Sequence, residues 1–432
     1  MVPRGTPSVN GGRAAARPAP VAPPPGYLAS MAELAPPPSP SLVEALSAEL
    51  DDLTARGLRR SLRPVRQRRA GTVLLDGERI ADFASNDYLG LAADPRLARA
   101  AAAVLESEGT GASAARLISG HHPVHEALEE ALAAFKHAER ALLFPSGYMA
   151  NVGAIPALVG AGDVVYSDAL NHASLIDGIA LSRAAVRVVP HADLGALERQ
   201  LREDAGRFRR SLIVTEGVFS MDGDLYPLDA LVPLARAHGA WTYVDDAHGT
   251  GVLGTTGRGA LEQCGVLGEV DIVVGTLGKA LGTTGAYVAG SRVLIEFLLN
   301  RARSFIFTTG TPPALAAATL EALRIAGSEP WRRDAVRARA ARLRQRLRLD
   351  GREVPGLPDG HIIPLHVGDP VRTMGIVADL RRRGFLVGGV RPPTVPAGTS
   401  RLRLSVSAMH PPELVDALAA NLLDVLGASG AP

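Results

Sequence analysis

The sequence predicts an α/β protein whose main body is a mostly parallel, doubly wound sheet, followed by a smaller α+β part. Three observations carry this expectation. From about Pro95 to Leu323, helical patterns of ten or more residues alternate with short β-branched or leucine-rich strands. Several of those strands are continuous apolar runs, as expected for a sheet covered on both faces. Near Glu329 and Pro330 the alternation stops and a different order of elements begins.

Taken in order, residues 1–40 are rich in Pro, Ala and Gly, with P-A-P-V-A-P-P-P-G and A-P-P-P-S-P. Such a composition buries too little apolar surface to offset its ordering entropy, so a disordered tail is expected. Residues 41–90 form an N-terminal segment. There S-L-V-E at Ser41 is a capping box ahead of an amphipathic helix ending near Gly57. A basic run from Arg56, of the kind that usually forms a solvated face, leads into V-L-L-D-G-E-R-I-A-D-F, a hairpin, and then S-N-D-Y-L-G-L.

Residues 91–328 are the large domain, with strands expected at A-L-L-F, V-V-Y-S, V-R-V-V, S-L-I-V-T-E, W-T-Y-V-D-D, I-V-V-G-T and A-Y-V-A-G. Residues 329–432 are the small domain. It opens with the arginine-studded helix A-V-R-A-R-A-A-R-L-R-Q-R-L. The strands H-I-I-P-L-H-V, F-L-V-G-G-V and R-L-R-L-S-V-S and two further helices follow.

Composition excludes several classes. A formal charge of +2 and a pI near 8.8 are too balanced to indicate nucleic acid. The single cysteine, Cys264, excludes an internal disulfide and a multi-cysteine metal site, and fits a reducing compartment. No apolar run approaches the ~20 residues that span a bilayer, and the N-terminus shows no basic stretch followed by an apolar signal core. A cytoplasmic protein is expected, with no metal.

One segment organises the rest. In D-I-V-V-G-T-L-G-K-A-L-G-T-T-G an apolar strand ends at Thr276 and a glycine-framed turn presents Lys279. The chain holds only two lysines, Lys136 and Lys279, among 46 basic residues. Arginine serves wherever charge alone suffices, but it neither gives up its proton near neutral pH nor condenses with a carbonyl, and lysine does both. Lys136, in F-K-H-A-E-R at the end of a helical pattern, fits an ordinary surface lysine. Lys279, ringed by small residues, leaves room for a flat ligand.

Three further groups fall at strand ends, where open α/β sheets bind ligands. In P-S-G-Y-M-A-N, Ser146, Gly147 and Tyr148 place N–H groups at a helix start, which suits a phosphate; a plain helix-start turn accounts for the same residues. His172 in N-H-A-S-L is able to stack on a planar cofactor, although satisfied loop histidines are common. V-D-D-A-H-G-T-G places Asp245, Asp246 and His248 after an apolar strand, where acids need partners. A carboxylate there holds a pyridinium nitrogen protonated. A metal site competes, but no second cluster at metal spacing accompanies it. Carboxylate, histidine, phosphate cradle and lysine together describe a pyridoxal phosphate enzyme.

With those motifs, the chain from about Ser41 to Leu426 resembles the α-oxoamine synthase family of fold-type I pyridoxal phosphate enzymes. S-N-D-Y-L-G-L, G-T-G-A-S-A-A-R-L-I-S-G, T-E-G-V-F-S-M-D-G-D, V-D-D-A-H-G-T-G-V-L-G and T-L-G-K-A-L-G all match it. R-P-P-T-V-P-A-G-T-S-R-L-R-L-S-V-S-A-M-H most resembles members that condense L-alanine with a pimeloyl thioester on coenzyme A or acyl carrier protein. T-T-G-T-P-P at Thr308 to Pro313 departs from the family, which more often carries serine and methionine there.

The resemblance implies that Lys279 bonds to the cofactor and is the acid–base group. It implies Asp245 on the pyridine nitrogen, His172 on the ring, and Ser220 and His248 on the phenolic oxygen. Gly147, Tyr148 and Thr276 would hold the phosphate, with Thr309 from a neighbouring subunit, so a homodimer with a shared site is implied. Asn86 and Arg403 would bind the amino-acid carboxylate, and Arg60 and Arg391 would lie near the acyl substrate. A glycine-using sister synthase, of the 2-amino-3-ketobutyrate ligase type, shares every cofactor residue. A non-catalytic partner or sensor subunit is the reading from another class.

Overall fold

The structure, a computed structural model, describes residues 40–348 and 354–428. The tail expected at residues 1–40 therefore lies almost wholly outside the described residues. The described residues divide into two compact units between Ala55 and Arg56. In the first, helix α1 (Leu42–Ala55) begins with the expected capping box. The Ser41 N–H donates to Glu44 at 2.8 Å and the Glu44 N–H to the Ser41 hydroxyl at 3.3 Å.

The second unit opens with three short strands, β1 (Val65–Arg69), β2 (Thr72–Leu75) and β3 (Glu78–Asp82). The β2–β3 hairpin turns at Asp76 and Gly77, both at positive φ (52° and 87°), the backbone that an Asp-Gly pair supplies at least cost. The basic run contributes the outer strand β1 of this sheet, its residues mostly exposed, with Arg68 reaching back to Asp82 at 2.6 Å.

The alternating region then forms, in order, α2 (Pro95–Glu108), α3 (Pro123–Lys136), β4 (Arg140–Phe144), α4 (Gly147–Leu158), β5 (Val164–Asp168), α5 (Ala173–Ser182), β6 (Ala185–Val189), α6 (Leu194–Glu203), β7 (Ser211–Glu216), α7 (Leu228–Ala237), β8 (Trp241–Asp245), α8 (Ala260–Gln263), β9 (Ile272–Thr276) and β10 (Ala286–Gly290). All seven expected strands join one sheet in the order β4-β10-β9-β8-β7-β5-β6. Every strand except β10 runs the same way. Its residues alternate between two apolar clusters: Leu142, Phe144, Val214 and Val274 pack on one face, Ala141, Leu143, Ile213 and Val273 on the other. Burial on both faces is why these strands read as unbroken apolar runs. Each strand except β10 delivers its C-terminal residue to the same edge, and the ladder pairs Glu216 with Asp245 and Thr276 with Ala286, which in turn faces Phe144.

Helices α9 (Arg292–Arg301), α10 (Arg303–Ile306), α11 (Pro313–Ser328) and α12 (Trp331–Arg348) lead into the C-terminal part. There β11 (Ile362–Gly368), α13 (Pro370–Arg382), β12 (Phe385–Leu386), β13 (Gly388–Val390), β14 (Ser400–Ser405) and α14 (Pro412–Ala428) follow. F-L-V-G-G-V, expected as one strand, is two. Phe385 and Leu386 pair with β3, while Gly388 to Val390 pair with β14. The chain changes sheets at buried Val387, so one apolar run serves two ladders.

Candidate active site

The strand edge gathers most of the residues singled out in the sequence. Lys279 sits in the turn after β9, which closes when the Gly282 N–H donates to the Lys279 carbonyl at 2.9 Å. Gly282 has φ 67°, and a Cβ there would come within 2.4 Å of the Ala92 nitrogen, so this turn admits only glycine. The Lys279 Nζ lies 2.8 Å from Nε2 of His248, whose Nδ1 lies 2.8 Å from the Tyr88 hydroxyl. Tyr88 donates to Asn86 Oδ1 at 3.0 Å. One proton arrangement satisfies this chain: Nδ1–H of His248 donates to Tyr88, and a bare Nε2 accepts from the lysine. Burial, then the nearby Lys279 and Arg403, holds His248 well below the usual imidazole range, and therefore neutral. Burial also draws the Lys279 amine down to about 8, against the pull of Asp245.

Asp245 ends β8. Its Oδ2 accepts from Asn151 at 2.8 Å and its Oδ1 from the Ala247 N–H at 3.0 Å. Asn151 is itself locked by Tyr243 and Ser174. His172 caps α5 with its Nδ1 2.8 Å from the Ser174 hydroxyl, and burial lowers its imidazole. Ser146 caps α4 through the Met149 N–H, and Gly147 opens onto free space, with nothing within 4 Å of where a Cβ would stand. Tyr148 is half exposed and hydrogen-bonded to Asp177. Thr276 accepts from the Gly278 N–H at 3.3 Å. The ladder brings β9 and β4, and so Thr276 and the start of α4, to one level of the sheet.

Arg403, on β14, is 7% exposed. Its guanidinium donates to the Ser220 carbonyl (2.6 Å), Asn86 (3.1 Å), Ser405 (2.9 Å) and the Tyr88 oxygen (3.3 Å). None of these partners is an anion, and an Nη2 hydrogen is left uncommitted. A buried cation with only neutral partners has the chemistry to accept an anion. The loop bearing Ser220 is held from three sides: by Arg403, by Arg401 on Asp222, and by His191, whose Nε2 is 2.7 Å from Asp224 and whose Nδ1 is 3.0 Å from Asp168.

Three predicted residues stand apart from this cluster. Thr309 is exposed, its backbone bridged to Ala115. Arg60 donates to the Pro392 carbonyl at 3.4 Å and Arg391 to the Arg59 carbonyl at 2.7 Å, so these two lie together and neither contacts Lys279 or Arg403. Lys136 is not the surface lysine expected. It is 1% exposed and pairs with Asp246 at 2.6 Å, because α3 ends against the turn after β8. Among the described residues no cluster of metal-ligating side chains occurs, and Asp246 is occupied by Lys136 and the Ala260 N–H.

Residues not singled out also belong here: Tyr88, Asn151, Glu216 and His361. His361 packs edge-on against Tyr88 with ring centroids 4.2 Å apart, and burial followed by Arg403 lowers its imidazole to about 3. Asn151 closes P-S-G-Y-M-A-N and Tyr88 lies within S-N-D-Y-L-G-L, so spacing from a chosen residue was the available signal. A cavity of about 490 Å³, lined in part by Trp241, Ile272 and Gly290, lies at the other end of the same strands and holds none of these residues.

Fold and site together define a fold-type I pyridoxal phosphate enzyme. A profile of the aminotransferase class I and II family matches residues 78–422. The 8-amino-7-oxononanoate synthase of Alkalilimnicola ehrlichii is 51% identical over 390 residues, 90% of this chain and 99% of that protein. That of Geobacter sulfurreducens is 52% identical over 373 residues, 85% and 94%. Among solved structures, Sphingomonas wittichii serine palmitoyltransferase matches with TM-score 0.85 at 32% identity, covering 90% of this chain and 98% of that one. The 8-amino-7-oxononanoate synthase of Francisella tularensis matches with TM-score 0.71 at 28% identity, covering 81% and 98%. The chain belongs to the aminotransferase class I and II family, in its α-oxoamine synthase branch.

Proposed function

We propose that this chain condenses L-alanine with a pimeloyl thioester to give 8-amino-7-oxononanoate, CO2 and the free thiol, a step of biotin biosynthesis. The observation that carries the reading is the buried Arg403 fork with neutral partners, set in one hydrogen-bonded chain with Asn86, Tyr88, His248 and Lys279. The relatives, near half identical over most of their length, support the particular substrates.

The residues present fit pyridoxal phosphate. Asp245 would take the ring nitrogen, His172 the ring face, and Ser220 and His248 the phenolic oxygen. Ser146, Gly147, Tyr148 and Thr276 would take the phosphate, with Thr309 supplied by the second subunit of a homodimer, and Lys279 would meet the aldehyde. When bound, the cofactor supplies an electron sink for the substrate's α-carbon.

The chain's own residues do the rest. Arg403 and Asn86 hold the alanine carboxylate and so leave the α-hydrogen as the group to be removed. The Lys279 amine, brought near neutrality by burial, takes that proton and later returns one to the product. His248 Nε2 orients the amine between those transfers. Residues 91–328 would carry the cofactor and residues 329–432, through Arg403, the substrate carboxylate. Arg60 and Arg391 are assigned to the acyl side, facing the anionic carrier.

Steady-state assays of alanine, glycine and serine, each with pimeloyl-coenzyme A and with pimeloyl-acyl carrier protein, test this. Alanine should be preferred in both series. Faster turnover of glycine would assign the chain to the sister synthases, and failure to bind the cofactor would make it a non-catalytic subunit.

A further inference from the structure

Glu216 ends β7 and is a buried acid of this strand edge to which the proposed chemistry gives no task. It is 3% exposed, and its Oε1 has no hydrogen-bond partner. In the parallel ladder it stands opposite Asp245. The backbone N–H groups of His172 and Ser220 face its carboxyl, so it joins the two segments that bear those residues.

Two neighbouring carboxyls at a buried strand edge do not both ionise cheaply. Their surroundings divide the roles. Asp245 has a donor on each oxygen, at 2.8 and 3.0 Å. Glu216 keeps one buried oxygen bare, which suits a carboxylic acid better than a carboxylate.

We propose that Glu216 is a positioning residue that works as a neutral acid, tying the His172 and Ser220 segments together while leaving Asp245 the ionised carboxylate of this edge. The charged groups facing it are Asp245 on β8 and Lys279 in the turn after β9. Burial, then the Asp245 charge, pushes its carboxyl up to about 8, against Lys279 and the two backbone N–H groups. The idea rests on the cofactor site proposed above, because a lone anion at Asp245 is what a ring nitrogen requires.

The test compares Glu216→Gln, which keeps the shape of the neutral acid, with Glu216→Ala. Pyridoxal phosphate dissociation constants, read by absorbance titration of the full chain, should change by no more than about twofold in the glutamine variant and by ~10-fold or more in the alanine variant. Infrared spectra of the cofactor-free protein should show a protonated-carboxyl stretch at neutral pH that is missing from Glu216→Gln. Equal loss of affinity in both variants, or an unchanged infrared band, overturns the proposal. A wild-type chain that binds no pyridoxal phosphate would sink the functional reading instead, and the infrared band would still decide the state of Glu216.

Discussion

The Lys279 Nζ and the His248 Nε2 lie 2.8 Å apart, and the imidazole is kept neutral by burial, by Lys279 itself and by Arg403. A neutral acceptor against the amine, in a pocket where burial has already brought that amine to about 8, produces a lysine that can lose and regain a proton near neutral pH.

Lys279→Arg should keep the positive charge but lose the visible cofactor band. Turnover should fall by ~100-fold or more, because a guanidinium neither condenses with an aldehyde nor gives up its proton. Wild-type turnover in this variant would remove Lys279 from the mechanism.

Arg403→Ala should raise KM for the amino acid far more than KM for the thioester. Loss of a charge-assisted pair with the substrate carboxylate is worth ~1.5–3 kcal/mol. A change confined to the thioester KM would instead place Arg403 on the acyl side.

Much of this arrangement was legible in the sequence, and the reason is physical. A sheet buried on both faces leaves continuous apolar runs, so all seven strands of the large sheet could be read, and glycine at the Lys279 turn is demanded by the close approach of Gly282 to Ala92. Lys279 itself stood out because the chain spends arginine almost everywhere else. Contacts between distant segments were not legible. Nothing local to F-K-H-A-E-R announces that Lys136 meets Asp246 110 positions later. Glu216 reads as the polar end of a strand until the ladder places it opposite Asp245. The division of F-L-V-G-G-V between two sheets depends on which neighbours the fold brings alongside, and alternation within one strand carries no record of them.

Lys136→Met should lower stability by ~3–5 kcal/mol, since it leaves the Asp246 carboxylate buried and unpaired. Adding Asp246→Asn should recover part of that loss, as measured by denaturant unfolding. A double variant less stable than the single one by the full additive amount would show that the two side chains do not interact.

His191 bridges Asp168 and Asp224, and its hydrogen bonds to both raise its imidazole from the ordinary 6.5 to about 10. Because the folded value lies above the unfolded one, the stabilisation is complete below pH 6.5 and disappears as pH rises through about 10. His191→Gln should therefore cost ~1.5–3 kcal/mol at pH 6 and little above pH 10. A difference in melting temperature that stays constant across this range would contradict the charged bridge.

The central claim is that the alanine carboxylate is protected by Arg403 and Asn86 until the new carbon–carbon bond exists, so that proton removal comes first and CO2 leaves last. Carboxyl-labelled alanine measures this directly. Without thioester, the enzyme should exchange alanine's α-hydrogen with solvent and release essentially no labelled CO2. With pimeloyl thioester, label should appear in step with free thiol, in equal amounts. Rapid release of labelled CO2 in the absence of thioester would mean that decarboxylation comes first, and the carboxylate clamp built on Arg403 would be wrong.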